Sequence, residues 1–195
     1  MDEFYYYDEV QYTKNDWRNR NQIMTPNGKM WLTIPVRHEY LGQPINEVKV
    51  AQSNWARKHW NTIVANYSRS PRFKELAPIF EEYYLSEHSV FLSEINQSFN
   101  NLILKILDVK TPVRKSVDYS LEGDRNSRII DLCKKVEAQV YFSGKAAKNY
   151  IDMELFRANG IEVKWYEYSL PKEYPQNHKG AFDPYVSVID YLFNS

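Results

Sequence analysis

The chain has 195 residues, with 25 lysines and arginines against 25 aspartates and glutamates, 43% apolar and 26% charged residues, four histidines and one cysteine. This is the composition of an ordinary globular protein with ample core. Zero formal net charge argues against a broad nucleic-acid surface, which needs a basic excess to neutralise phosphates, though it leaves room for a local basic patch; a single cysteine excludes a disulfide framework and a multi-cysteine zinc site. No apolar run approaches the roughly 18 residues of a membrane span. The acidic start, Met1 to Val10, lacks the basic region of a signal peptide, so a reducing, cytoplasmic setting is expected. The 16 tyrosines and 5 tryptophans suit carbohydrate or nucleotide surfaces, or an aromatic core; composition does not separate the two.

In chain order, Phe4-Tyr5-Tyr6-Tyr7 predicts a strand running into the acids Asp8-Glu9, Met30 to Val36 a second strand, and Ile45 to Val50 a weaker third. The middle is helical. From Asn54, a cap residue, Trp55, His59, Trp60, Ile63, Val64 and Tyr67 recur at spacings of three and four. A second helix starts near Pro71, with a kink or break expected at Pro78. A third begins at Ser89 and carries one apolar stripe from Phe91 to Leu107. The last third alternates: strand Val113 to Val117, helix Asn126 to Val136, strand Val140 to Phe142, helix Lys145 to Asn159 ending at Gly160, strand Ile161 to Tyr168, and helix Val186 to Phe193. The pattern implies βαβ units. The expectation is an α/β fold with a mainly parallel sheet and flanking helices: a single domain, 1–195, with a helical lobe inserted at about residues 54–107.

Three segments carry more chemistry than packing requires. Between Asp8 and Asn21 the chain concentrates Lys14, Trp17, Arg18, Asn19, Arg20 and Asn21 in what reads as a loop. Arginine grips phosphate or carboxylate with two parallel hydrogen bonds and tryptophan offers a stacking face, although a solvated loop with cancelling charges has the same composition. In Tyr141-Phe142-Ser143-Gly144-Lys145, a buried strand ends in Ser-Gly and a helix begins at once. Its free backbone N–H groups would face an anion, unless Ser143 is simply the cap. In Trp55-Ala56-Arg57-Lys58-His59-Trp60, His59 is a candidate general base or a packed core histidine. His38, His88 and His178 lie apart from one another and from the one cysteine, so no metal site is expected; Cys133 sits on an apolar stripe. The Ser-Gly turn is neither a Walker loop nor a dinucleotide fingerprint, and no G-x-S-x-G elbow occurs.

Taken in order, Asp8-Glu9-Val10-Gln11-Tyr12, Trp17-Arg18-Asn19-Arg20-Asn21, Trp31-Leu32-Thr33-Ile34-Pro35-Val36, Lys58-His59-Trp60, Tyr141-Phe142-Ser143-Gly144, Tyr174-Pro175-Gln176 and Ser187 to Asn194 resemble the WbqC-like family of bacterial proteins over nearly the whole chain. The resemblance implies a role in bacterial surface-polysaccharide (O-antigen, lipopolysaccharide) biosynthesis, and amino-sugar acylation, including glycyl transfer, is a candidate reaction. Members usually begin with a further segment, Gln-Pro-x-Tyr-x-Pro-Trp and then Gly-Tyr-Phe; this chain starts at Met1-Asp2-Glu3-Phe4, so a first strand and half of the site are expected to be missing. The combined expectation is a cytoplasmic transferase acting on a nucleotide-linked or amino sugar, without cofactor, with an aminoacyl-tRNA or another activated acyl group as donor. Asp8 or His59 would be the acid/base group. Lys14, Trp17, Arg18, Asn19, Arg20, Asn21, Lys58, Trp60, Ser143, Gly144, Lys145, Tyr174 and Gln176 would bind substrate. The alternative is a non-catalytic sugar-nucleotide binding or scaffold protein of the same pathway.

Overall fold

A computed structural model describes residues 1–195. Its strands are β1 (Phe4–Tyr6), β2 (Arg20–Thr25), β3 (Gly28–Thr33), β4 (Val36–Arg37), β5 (Lys49–Val50), β6 (Val113–Lys115), β7 (Val140–Gly144) and β8 (Glu162–Tyr166). The helices are α1 (Trp55–Tyr67), α2 (Phe73–Leu85), α3 (Leu92–Ile106), α4 (Arg125–Lys135), α5 (Met153–Ala158) and α6 (Val188–Asn194), with 3₁₀ turns at Ile45–Glu47, Ser116–Tyr119 and Lys145–Asn149. Helices and strands mix as an α/β chain should, but the strands form four two-stranded sheets. Pairing is parallel in β1–β6 and β7–β8, and antiparallel in β2–β3 and β4–β5. The chain divides into two compact units, one made of Met1–Glu9 with Asp108–Ser169, the other of Val10–Leu107 with Leu170–Ser195.

In the first unit, β1 lies beside β6 with Phe4 opposite Val113, and β7 beside β8 with Val140 opposite Glu162. Alternation along β7 and β8 sends Tyr141, Val163 and Trp165 inward against a core of Ile129, Ile130, Cys133 and Phe156, and leaves Phe142, Lys164 and Tyr166 exposed. The α4 stripe supplies Ile129, Ile130 and Cys133 of that core. Its start is set by Asp124, whose carboxylate accepts the Ser127 N–H at 3.0 Å; Asp152 caps α5 in the same way. The expected single helix over Lys145–Asn159 is two pieces. A 3₁₀ turn ends at Asn149, Ile151 turns into the core, and α5 starts anew at its own cap. It closes before Gly160, which adopts a φ of +75° as a residue following a helix should.

The second unit is built on α1, α2, α3 and α6, whose apolar faces meet around the fully buried Ile63, Tyr67, Phe80 and Phe193. Pro78 does not break α2: it lies on the exposed side of the helix, so the Lys74 carbonyl that loses its N–H partner faces water. A second, smaller core gathers Tyr12, Ile45, Val48 and Leu92. Residues Arg20 to Asn21, expected in a loop, begin strand β2. Pro26-Asn27 makes a two-residue turn, Gly28 takes a φ of +103°, and the Thr25 hydroxyl closes it on the Gly28 carbonyl at 2.7 Å. The second expected strand, Met30 to Val36, is divided: β3 stops at Thr33, and Val36–Arg37 turns away to pair with β5.

Candidate functional site

Of the residues expected to form a site, Asp8, Ser143, Gly144 and Lys145 belong to the first unit; Lys14, Trp17 to Asn21, Lys58 to Trp60, Tyr174 and Gln176 belong to the second.

In the first unit Asp8 follows β1 and is half-buried. Its neighbour Glu9 takes part in a network that sequence reasoning missed. One carboxylate oxygen accepts the hydroxyl of the fully buried Ser116, and the other accepts Arg128 Nη2 at 3.1 Å. Burial raises the Tyr7 hydroxyl's pKa, an effect that Arg128 opposes. Ser143 lies on β7; it is not a helix cap, since Gly144 precedes the 3₁₀ turn and no side chain caps it. A methyl group added at Gly144 would meet nothing within 4 Å, so its backbone borders open space. Lys145 pairs with Glu167 at 3.0 Å on the surface.

In the second unit the Lys14-to-Asn21 segment is tied down at Asn15, Asp16, Arg18, Asn19 and Arg20. The Asp16 carboxylate pairs with the Arg18 guanidinium and accepts the Arg18 N–H at 2.8 Å. Asn96 Nδ2 donates to the Arg18 carbonyl at 2.7 Å, and Asn19 Nδ2 to the Ile34 carbonyl at 3.0 Å. The Arg20 guanidinium bonds the Asn15 carbonyl and lies over the Trp31 ring, 4.2 Å from its centroid. Trp17 packs on the same indole at 5.3 Å, yet Trp17 is 62% and Trp31 41% exposed. Sequence alone marks Trp31 as a strand and family-motif residue, not as a site residue. In the β2–β3 register it stands opposite Gln22, diagonal to Arg20 on the same face.

His59 reaches this hairpin from α1, its Nε2 at 3.0 Å from the carbonyl of Thr33, the residue paired with Arg20. The ring is 8% exposed and packs edge-on against Trp55. Burial lowers its pKa, and the Thr33 hydrogen bond opposes that shift. With Nε2 engaged, any proton exchanged at this ring uses Nδ1. Trp60 is 5% exposed, stacks on Phe73 and Tyr84, and donates its indole N–H to Glu81; Lys58 is exposed.

Tyr174 and Gln176 converge on Asp190, a carboxylate with no exposed surface. Its Oδ2 accepts the Tyr174 hydroxyl and Gln176 Nε2, each at 2.9 Å, while Oδ1 accepts the Tyr67 hydroxyl at 2.7 Å. Tyr67 in turn accepts the Met24 N–H at 2.9 Å. These bonds fasten the irregular C-terminal stretch, α6, α1 and β2 together. A lone acid among Val188, Ile189, Leu192 and Phe193 was the signal that could have revealed this network.

No group of three or more His, Cys, Asp or Glu side chains is arranged to hold a metal ion, and no helix is long and apolar enough to cross a membrane. The chain belongs to the WbqC-like protein family, which matches residues 1–195, as its sequence resemblance implied. An uncharacterized protein of Mycobacterium tuberculosis is 38% identical over 195 residues, covering all of this chain and 84% of that protein. No solved structure matches.

Proposed function

We propose that this WbqC-like protein is a cytoplasmic transferase of bacterial surface-polysaccharide biosynthesis that modifies a nucleotide-linked or amino sugar, with N-acyl or glycyl transfer as the reaction. The observation that carries the reading is the pinned segment of the second unit. Lys14, Arg18 and Arg20 stand against the single carboxylate of Asp16, beside two exposed indoles, which suits a ligand combining phosphate with ring surfaces. Asn19 and Asn21 add amide groups to that segment, with Asn21 exposed. In the first unit, the end of β7 carries Ser143 and the open Gly144 backbone, a polar place of its own.

In the reaction proposed, the sugar amine attacks the acyl carbon of an activated donor, an aminoacyl ester or similar. The N–C bond forms, the bond to the leaving group breaks, and the ammonium proton passes to a base while the leaving group is protonated. The base is Asp8 or His59; Asp8 is half-buried at the end of β1, whereas His59 is closed off and bonded to Thr33. That same burial of His59 favours the second reading, a non-catalytic sugar-nucleotide binding or scaffold protein, which needs no base.

A reconstituted sugar-modification assay with Asp8→Asn and His59→Gln separates the two. The transferase reading expects Asp8→Asn to lose most turnover, on the order of 100-fold, while ligand binding persists. Unchanged turnover in both variants rejects catalysis by these residues.

A further inference from the structure

Trp17 and Trp31 are the two most exposed tryptophans of the chain, and they touch each other. Large exposed rings forfeit burial, so two held side by side need a reason. They are also rigidly mounted. Trp31 is fixed in the β2–β3 ladder, Arg20 lies over its ring, and the loop carrying Trp17 is tied by Asp16 to Arg18, by Asn96 to the Arg18 carbonyl, and by Asn19 to Ile34. Stacking surfaces fixed before the ligand arrives lose little entropy on binding.

The Arg20 guanidinium decides what kind of ring fits. A cation on one face of an indole draws π density toward itself. The ring is then a poorer acceptor for the C–H groups of a saccharide and a better stacking partner for the π-face of a nucleobase. Charge points the same way. Lys14 to Asn21 holds three cations and one carboxylate, and Arg20 spends no charge on an acid: its guanidinium bonds the Asn15 carbonyl and leaves Nε without a partner.

We propose that Trp17 and Trp31 are the stacking platform for the nucleobase of a nucleoside diphosphate, with Lys14 and Arg18 beside it for the diphosphate. The proposal rests on the nucleotide-linked-sugar reading above and assigns which part of that substrate sits on the second unit. Trp31 is the added residue.

Isothermal titration calorimetry tests it, with UDP, dTDP and GDP as probes, and inorganic pyrophosphate and free glucosamine as controls. Both indoles are exposed, so Trp17→Ala and Trp31→Ala should fold, which a thermal melt checks; Trp17→Phe keeps a ring. The expected result is binding of at least one nucleoside diphosphate, weakened about 10- to 100-fold by each alanine variant, the loss of one base–aromatic stack, and within a few-fold of wild type in Trp17→Phe. Pyrophosphate should bind wild type and alanine variants alike. Nucleotide binding unaffected by both alanine variants overturns the platform and leaves the proposed function standing. So does glucosamine binding that is lost with the indoles while no nucleotide responds. Failure of wild type to bind any of the nucleoside diphosphates or glucosamine overturns both.

Discussion

Replacing Tyr67 by phenylalanine removes one buried oxygen that serves two partners at once; Asp190 Oδ1 keeps only the longer bond from Asn194 Nδ2, at 3.4 Å. The hydroxyl donates to Asp190 Oδ1 at 2.7 Å and accepts the Met24 N–H at 2.9 Å, and Tyr67, Met24 and Asp190 are all buried. Burial and the adjacent Asp190 carboxylate raise the hydroxyl's pKa, so it stays protonated and donating at any physiological pH. A hydrogen bond to a carboxylate is worth about 1.5–3 kcal/mol, and a buried N–H left without an acceptor costs about 1–3 kcal/mol. Tyr67→Phe should therefore destabilise by about 3–5 kcal/mol, against about 5–15 kcal/mol for a whole domain. Tyr174→Phe is the internal control. Tyr174 is half-buried, and Asp190 Oδ2 keeps Gln176 Nε2 when the hydroxyl goes, so the cost should be about 1–2 kcal/mol. Urea unfolding followed by tryptophan fluorescence reads the right region, because Trp17, Trp31, Trp55 and Trp60 share the unit that holds Asp190 and only Trp165 lies outside it. A Tyr67→Phe protein within about 1 kcal/mol of wild type, or a Tyr174→Phe protein that loses as much, refutes the view of Asp190 as the clasp of this unit.

Other consequences are equally measurable. The lowered pKa of His59 makes its contribution complete above about pH 6.5 and lost as the pH falls toward the folded value, with a slope of up to about 1.4 kcal/mol per pH unit; urea midpoints across that range should flatten in His59→Gln, whose amide can still reach Thr33. Burial pushes the Cys133 thiol up to about 11. Iodoacetamide at pH 8 should therefore modify the native protein about 100-fold more slowly than the urea-unfolded chain, with rapid native labelling as the contrary result, and the thiol's contribution to stability should fade as pH rises from about 8.5 toward 11. Phe193→Ala empties a site ringed by Tyr67, Phe73 and Phe80 at 5.2 to 5.5 Å; a loss of about 3–5 kcal/mol in urea unfolding is expected, and less than about 1.5 kcal/mol would mean α6 is not anchored there.

Periodicity served the helices well. The α1, α3 and α4 stripes buried the faces their spacing indicated, because a 3.6-residue repeat over three turns or more is hard to imitate by chance. Strand β2 was hidden because Arg20, Asn21 and Gln22 are polar and only Ile23 and Met24 declare a core; the Asn27-Gly28 dipeptide ahead of Lys29 was the clue to the hairpin. The break at Tyr150–Asp152 was equally quiet, since Asp152 caps as well as it fills a helix. At the candidate site, residue types were readable and partnerships were not. Arg18, Arg20 and Trp17 stood out in sequence, but the approach of Trp31 depends on register, and the meeting of Tyr67 with Asp190 spans 123 residues, a separation at which local patterns carry no information. Histidine 59 exposes the same gap: spacing placed it on α1, and only packing placed its ring against Thr33.

Each compact unit is assembled from two stretches of chain that are far apart in sequence. During synthesis, β1 therefore waits for β6 to leave the ribosome, and Tyr67 waits for Asp190, which follows it by 123 residues. Until those partners emerge, the tyrosine-rich β1 is unpaired and the helical bundle unclasped, while the local pairs β2–β3 and β7–β8 and the packing of α1 on α2 need no distant stretch.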